Sequence, residues 1–170
     1  MKRSVFLYLR SLVWVLLLVL LDQGSKLWAA RYLKQGDDIV LISGVLRRHY
    51  LYPENRGIAF GLFQGSVLFF GLVSILLIVF LLWILSRIPD QNRYLPMRVG
   101  VVWILAGAAG NLIDRMFRGY VIDFIYFELI DFPLFNAADV FVVCGAFLFA
   151  FLCVFFYRKE EDFEFLRRRR

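Results

Sequence analysis

Histidine occurs once in this chain of 170 residues, at His49, and cysteine twice, at Cys144 and Cys153. A single histidine leaves zinc short of ligands, because zinc sites are built from several imidazole, thiolate and carboxylate groups. The two cysteines lie in one apolar run, nine residues apart. On a helix that spacing is about 13 Å along the axis, too far for an intrachain disulfide. Free thiols in such surroundings are expected to be inert packing residues. Charge is absent from two long stretches, Val67–Leu85 and Val140–Tyr157, and no repeat or low-complexity segment appears. With imidazole and thiol chemistry in short supply, carboxylates are the reactive groups that remain.

What the chain has in excess is apolar surface: 61% of its residues are hydrophobic and 18% aromatic, with a mean hydropathy of +0.70. A soluble domain carries about 45–50% apolar residues, so the composition is that of a membrane protein. Crossing a hydrocarbon layer of about 30 Å takes about 20 helical residues. Four stretches qualify, giving spans at about 5–26, 67–86, 97–117 and 138–157 in one membrane domain covering 1–170. A cleaved signal peptide competes for the first span, since Lys2 and Arg3 precede it. The run continues, however, into Asp22-Gln23-Gly24-Ser25-Lys26 rather than a small-residue cleavage site.

Basic residues fix the expected orientation. The N-terminal segment, the loop between spans two and three, and the tail hold 12 of the 20 lysines and arginines. The segment Gly119–Ala137 has none, whereas the first outer loop holds Arg31, Lys34, Arg47, Arg48 and Arg56. Both termini are therefore expected in the cytoplasm, and the net charge of +6 reflects topology rather than nucleic-acid binding. The terminal arginine run suits topology determination or contact with anionic membrane lipid. In the outer loop, β-branched and aromatic residues at Ile39–Ile42 and Val45–Tyr52 flank Ser43-Gly44, which predicts a small hairpin. The following Asn55-Arg56-Gly57-Ile58-Ala59-Phe60-Gly61-Leu62-Phe63 suggests a turn at headgroup depth, within an outer β-rich segment of about 36–64.

Polar residues inside spans are costly and need partners or purposes. Asp22 and Lys26 stand four apart and can pair on one helical face; a Ser25/Lys26 nucleophile–base dyad conflicts with the roughly 100° between adjacent helical side chains. Span three ends Ala106-Gly107-Ala108-Ala109-Gly110-Asn111-Leu112-Ile113-Asp114-Arg115. Its small residues, Gly107 among them, permit close approach of a helix or an extended ligand. Asn111, Asp114 and Arg115 share a face, as a polar clamp in which Asp114 and Arg115 satisfy each other or as substrate contacts. Asn136 and Asp139 read as a helix N-cap and first turn. Asp123, in Tyr120-Val121-Ile122-Asp123-Phe124, sits in an apolar stretch where an unpaired carboxylate is expensive. Spans three and four meet on the outer side, so Asp123 and Asp139 can come together. Two such carboxylates share a proton and can activate water against a peptide carbonyl without metal; magnesium on carboxylates is the open alternative.

These blocks together resemble the lipoprotein signal peptidases, the signal peptidase II family of bacterial intramembrane aspartyl proteases. The resemblance rests on Asp22-Gln23-x-x-Lys26, Asn55-x-Gly57-x-Ala59-Phe60, Gly110-Asn111-Leu112-Ile113-Asp114-Arg115, Val121-Ile122-Asp123-Phe124 and Phe135-Asn136-x-Ala138-Asp139, in the family's order. It implies an all-α polytopic membrane protein of four transmembrane helices with a small periplasmic β-rich cradle. It implies Asp123 and Asp139 as the catalytic dyad, Asn55, Asn111, Arg115 and Asn136 around the substrate, and Asp22, Lys26, Gly107 and Asp114 in support. The reaction implied is cleavage before the lipidated cysteine of a diacylglyceryl-prolipoprotein, without cofactor or metal, at the outer face of the bacterial inner membrane; a monomer is the default expectation, since nothing in the sequence calls for an oligomer. Ile58 departs from the small residue common in the family after Asn-x-Gly, which puts cradle packing in doubt. The stretch Leu129–Leu134 carries no recognisable motif, and Asp131 reads as a surface carboxylate. A proton-coupled carrier and a magnesium-dependent headgroup transferase are the competing classes. The first lacks evident internal repeats, and the second lacks its run of aspartates on a cytoplasmic-side helix.

Overall fold

A computed structural model describes residues 2–34, 36–55 and 67–167. Among the described residues, four helices are long and apolar enough to cross a membrane. α1 runs Lys2–Tyr32, α2 Val67–Arg87, α3 Leu95–Phe117 and α4 Ala137–Phe151, the last continuing as a π-helical turn through Phe156. Each of these helices overlaps one of the stretches expected to span, with α1 extending past Lys26 to Tyr32. A short α5, Glu164–Arg167, follows in the tail.

Of the most apolar window of each span, 61% is buried in α3, against 17%, 17% and 11% in α1, α2 and α4. α3 is therefore the central helix, and it touches the other three. Lipid tails are as apolar as leucine, so close packing rather than water exclusion must hold such helices together. The small residues of α3 supply it. A Cβ on Gly107 would overlap the Ala138 carbonyl and Val142 of α4, and one on Gly110 would lie 2.5 Å from Asp22 Oδ2 of α1. Lower in the bundle, Leu85, Met97, Val101 and Leu105 form the main apolar core.

At one end a three-stranded antiparallel sheet covers the helix termini, in the order β1 (Ile39–Ile42), β2 (Leu46–Arg48), β3 (Ile125–Phe127). The hairpin predicted around Ser43-Gly44 forms, with Gly44 at φ +70°. The third strand, from the loop between α3 and α4, was not predicted. Its pairing with β2 joins residues 77 to 81 positions apart, a contact that periodicity within the outer loop does not encode. The ladder continues irregularly: His49 N donates to Phe124 O, Leu51 N to Asp123 O and Val121 N to Asn55 O. The glycine-rich turn predicted after Asn55 lies outside the described residues. Asp131 is exposed, as expected, and accepts from the Tyr126 hydroxyl.

At the opposite end the tail folds back on the α2–α3 connection. Arg93 grips Asp162 through Nε and Nη2 at 3.0 and 3.2 Å, and the Tyr94 and Tyr157 rings stack 5.5 Å apart.

Candidate active site

Asp123 owes its position to the extended backbone around it. Ile122 and Phe124 are buried in a small cluster with Ala29, Leu33 and Tyr50. Alternation along an extended chain turns the intervening side chain the other way, toward α3 and α4. Asp123 is 3% exposed. Its Oδ1 accepts from Asn136 Nδ2 at 2.7 Å and its Oδ2 from Asn55 Nδ2 at 2.9 Å.

Asp139 sits in the first turn of α4 in a capping box: Asp139 N donates to Asn136 Oδ1, and Asn136 N donates back to Asp139 Oδ2, both at 3.1 Å. The predicted N-cap reading holds, and the same residues do more. Asn111 Nδ2 donates to Asp139 Oδ1 at 2.8 Å. Asn136 therefore touches both aspartates, and its Nδ2 also donates to Asn111 Oδ1 at 3.3 Å. The two carboxyls are cross-braced through two amides and face one cavity.

Beneath them lies a fully buried charge cluster. Lys26 Nζ stands 2.9 Å from Asp22 Oδ2, from Asp114 Oδ2 and from Asn111 Oδ1. All three ammonium donors are thereby used. Since Lys26 has no acceptor to offer, it fixes Asn111 with its oxygen inward and its Nδ2 toward Asp139. Asp22 Oδ1 takes the Ala138 amide at 2.9 Å, tying α1 to the start of α4. The expected Asp22–Lys26 pair is present, but the expected Asp114–Arg115 pairing is not. Asp114 pairs with Lys26 and with Arg118, while Arg115 donates to the Asn111 carbonyl at 3.3 Å. One turn beyond position 114, Arg118 lies on its face and Arg115 a quarter-turn away. Ser25 bonds its own helix at Asp22 O rather than Lys26.

Gln23 and Arg118 were missed. Gln23 Nε2 donates to Asp22, to the Gly110 carbonyl and to Asp114, and Arg118 Nη1 donates to Gln23 Oε1 at 2.9 Å. Gln23 beside Asp22 inside an apolar span was the available signal.

The cavity measures about 580 Å³. Its polar end carries Asn55, Asn111, Arg115, Asp123 and Asp139, and its apolar wall includes Ile130, Phe132, Leu134, Val140 and Val143. The stretch Leu129–Leu134, which carried no motif, supplies part of this wall. Cys144, expected to be a packing residue, is exposed and lines the cavity instead, because α4 turns that face outward. Burial and the neighbouring Asp139 charge push the Asp123 carboxyl up to about 7, against the pull of Asn55, Asn136 and Lys26. Among the described residues, no group of three or more histidine, cysteine or acidic side chains is placed to hold a metal ion.

The model of the signal peptidase (SPase) II family matches residues 14–155. A lipoprotein signal peptidase of Clostridioides difficile is 41% identical over 141 residues, covering 83% of this chain and 90% of that protein. One of Clostridium novyi is 40% identical over 135 residues, covering 78% and 88%. A bacterial membrane enzyme solved by the in meso method superposes with a TM-score of 0.75 at 32% identity, covering 89% of this chain and 92% of that one. The family match covers residues 14–155, most of the chain, and the fold superposes over 89% of it: the protein belongs to the signal peptidase II family of membrane peptidases.

Proposed function

We propose that the chain is an intramembrane aspartic endopeptidase that removes the signal peptide from diacylglyceryl-modified prolipoproteins, cleaving before the lipidated cysteine with Asp123 and Asp139. The observation that carries this reading is a pair of carboxyls, contributed by two separate segments, that face one cavity and share the brace of Asn111 and Asn136. An Asp123 carboxyl near 7 holds a proton at a pH where an ordinary aspartate is ionised, as a coupled acid–base pair requires.

In the proposed reaction a water lies between the two carboxyls. The ionised member takes its proton as the oxygen attacks the scissile carbonyl, and the protonated member hydrogen-bonds the developing oxyanion. Collapse of the tetrahedral intermediate returns a proton to the leaving amine, and the pair ends with the single proton it began with. Arg115 and Asn55 stand at the polar end to hold the peptide backbone. The apolar wall of Ile130, Phe132, Val140 and Val143 suits acyl chains and an apolar signal segment. Asn111 and Asn136 position the carboxyls, and Asp22, Lys26, Gly107 and Asp114 hold the helices that carry them. Positive-inside counting places both termini in the cytoplasm and the site at the outer face, where a lipidated cysteine stays anchored while the peptide crosses the pair.

The test is cleavage of a diacylglyceryl-prolipoprotein by the purified protein beside the same precursor without lipid. The wild type is expected to process only the lipidated form. Asp123→Asn and Asp139→Asn are each expected to lower turnover by about 10³-fold or more while the protein stays folded and inserted. Near-normal turnover in either variant would remove that residue from the mechanism. Activity is expected to survive EDTA; loss on chelation with recovery on added magnesium would replace the dyad by a metal mechanism.

A further inference from the structure

A second cavity, of about 200 Å³, opens between α1 and α3 toward the opposite end of the bundle. Arg10, Ser11 and Arg98 form its polar part, Trp14 and Trp103 flank it, and Leu18 and Val102 extend it along the helices. Arg98 precedes Asn111 by 13 residues of α3, about 20 Å along the axis, so this cavity is separate from the candidate active site.

Its electrostatics are unbalanced. Arg98 is only 8% exposed, and among the described residues its hydrogen bonds go to neutral oxygens, Ile88 O at 3.0 Å and Ser11 Oγ at 3.5 Å. The Ser11 hydroxyl itself donates to Leu7 O, so it offers a lone pair and no charge. Five guanidinium donors with two partners leave three N–H groups to be satisfied. Arg10 is exposed on the cavity wall, close enough for its charge to act on Arg98. Arg98 also lies in the first turn of α3, where the helix end is already positive. Asp90 draws on Arg98 from outside the cavity but does not line it. Two guanidiniums and a positive helix end thus converge on one opening.

The geometry points to a binding site for an anionic phospholipid, its phosphate held between Arg10 and Arg98 and one acyl chain lying along Leu18 and Val102. Arginine presents paired N–H groups that match phosphate oxygens, and tryptophans such as Trp14 and Trp103 favour headgroup depth. The apolar continuation argues for a lipid rather than a free anion. The site does not depend on the peptidase chemistry at the other end.

The test uses the whole protein in an uncharged detergent doped with phosphatidylglycerol or with phosphatidylcholine of the same chains, lipid retention being read by native mass spectrometry. One phosphatidylglycerol per protein is expected to remain at concentrations where phosphatidylcholine is lost. Arg10→Gln is expected to weaken retention about tenfold, the loss of one charge-assisted contact, and Arg98→Gln to weaken it further. Among the described residues the Arg10 side chain has no hydrogen-bond partner, so its variant reports on binding even if Arg98→Gln folds poorly, and it is expected to cleave precursor normally in detergent. Equal retention of the two lipids, or retention unchanged in Arg10→Gln, would overturn the proposal. Displacement of the lipid by millimolar inorganic phosphate would also overturn it, identifying the ligand as a free anion.

Discussion

Asn111 links the buried charge cluster to Asp139. Its oxygen takes the Lys26 ammonium and its amide nitrogen reaches Asp139. An Asn111→Asp variant keeps the shape and the Lys26 contact but sets a carboxylate oxygen against Asp139. Repulsion would then favour the protonated pair, and the pH profile of kcat/KM is expected to move toward higher pH with a lower plateau. An unshifted profile would detach Asn111 from the titrating groups. Asp123 carries a second expectation, for stability. With its folded carboxyl near 7, the folded protein keeps a proton that the unfolded chain has already released above about pH 4. The folded state binds more protons across that window, so stability falls as pH rises from about 4 to about 7 and levels off above it. Thermal unfolding in detergent should show this slope in the wild type and a flatter one in Asp123→Asn.

At the scale of elements, the site depends on how closely helices approach. Gly110 lets α3 meet α1 with the Asp22 carboxylate against its backbone, and Gly107 does the same for α4. Gly110→Ala is expected to cost about 1–3 kcal/mol by overpacking and to lower activity by displacing Asp22 from the Ala138 amide. A melting temperature and turnover equal to wild type would show that the crossing can relax. The sheet acts on the site differently. β2 and the residues after it hold the extended backbone around Asp123 by hydrogen bonds, so register turns the side chain toward the helices and Asn136 and Asn55 then fix its carboxyl. The hairpin was legible because β-branched residues flank a glycine turn. The third strand was not, because Ile125-Tyr126-Phe127 becomes a strand only when β2 is beside it.

For the molecule as a whole, the leading question is which way the bundle stands in the membrane. In a background with Cys144 and Cys153 replaced by serine, a cysteine at His49 is expected to react with a membrane-impermeant maleimide in intact cells, and one at Arg158 only after permeabilisation. The reverse pattern would invert the bundle and place the carboxyls toward the cytoplasm. Both positions are exposed enough to report, and neither belongs to the candidate site.

Composition and charge-free runs determined the four spans, because a bilayer imposes length and apolarity locally, residue by residue. The single imidazole and the placing of both thiols in one apolar run turned attention to carboxylates, and Asp123 and Asp139 stood out because carboxylates in apolar surroundings demand an explanation. Tertiary structure alone decided the pairings. Lys26 serves Asp114 and Asn111 as well as Asp22, Arg118 replaces Arg115 as the partner of Asp114, Gln23 enters the cluster, and Cys144 faces the cavity. The bonds linking Lys26 and Gln23 to α3 and Arg118 join residues 85 to 95 positions apart in sequence, whereas Asp114 and Arg118 stand one helical turn apart. Helical spacing fixes which residues share a face, whereas the helix crossings fix what that face meets.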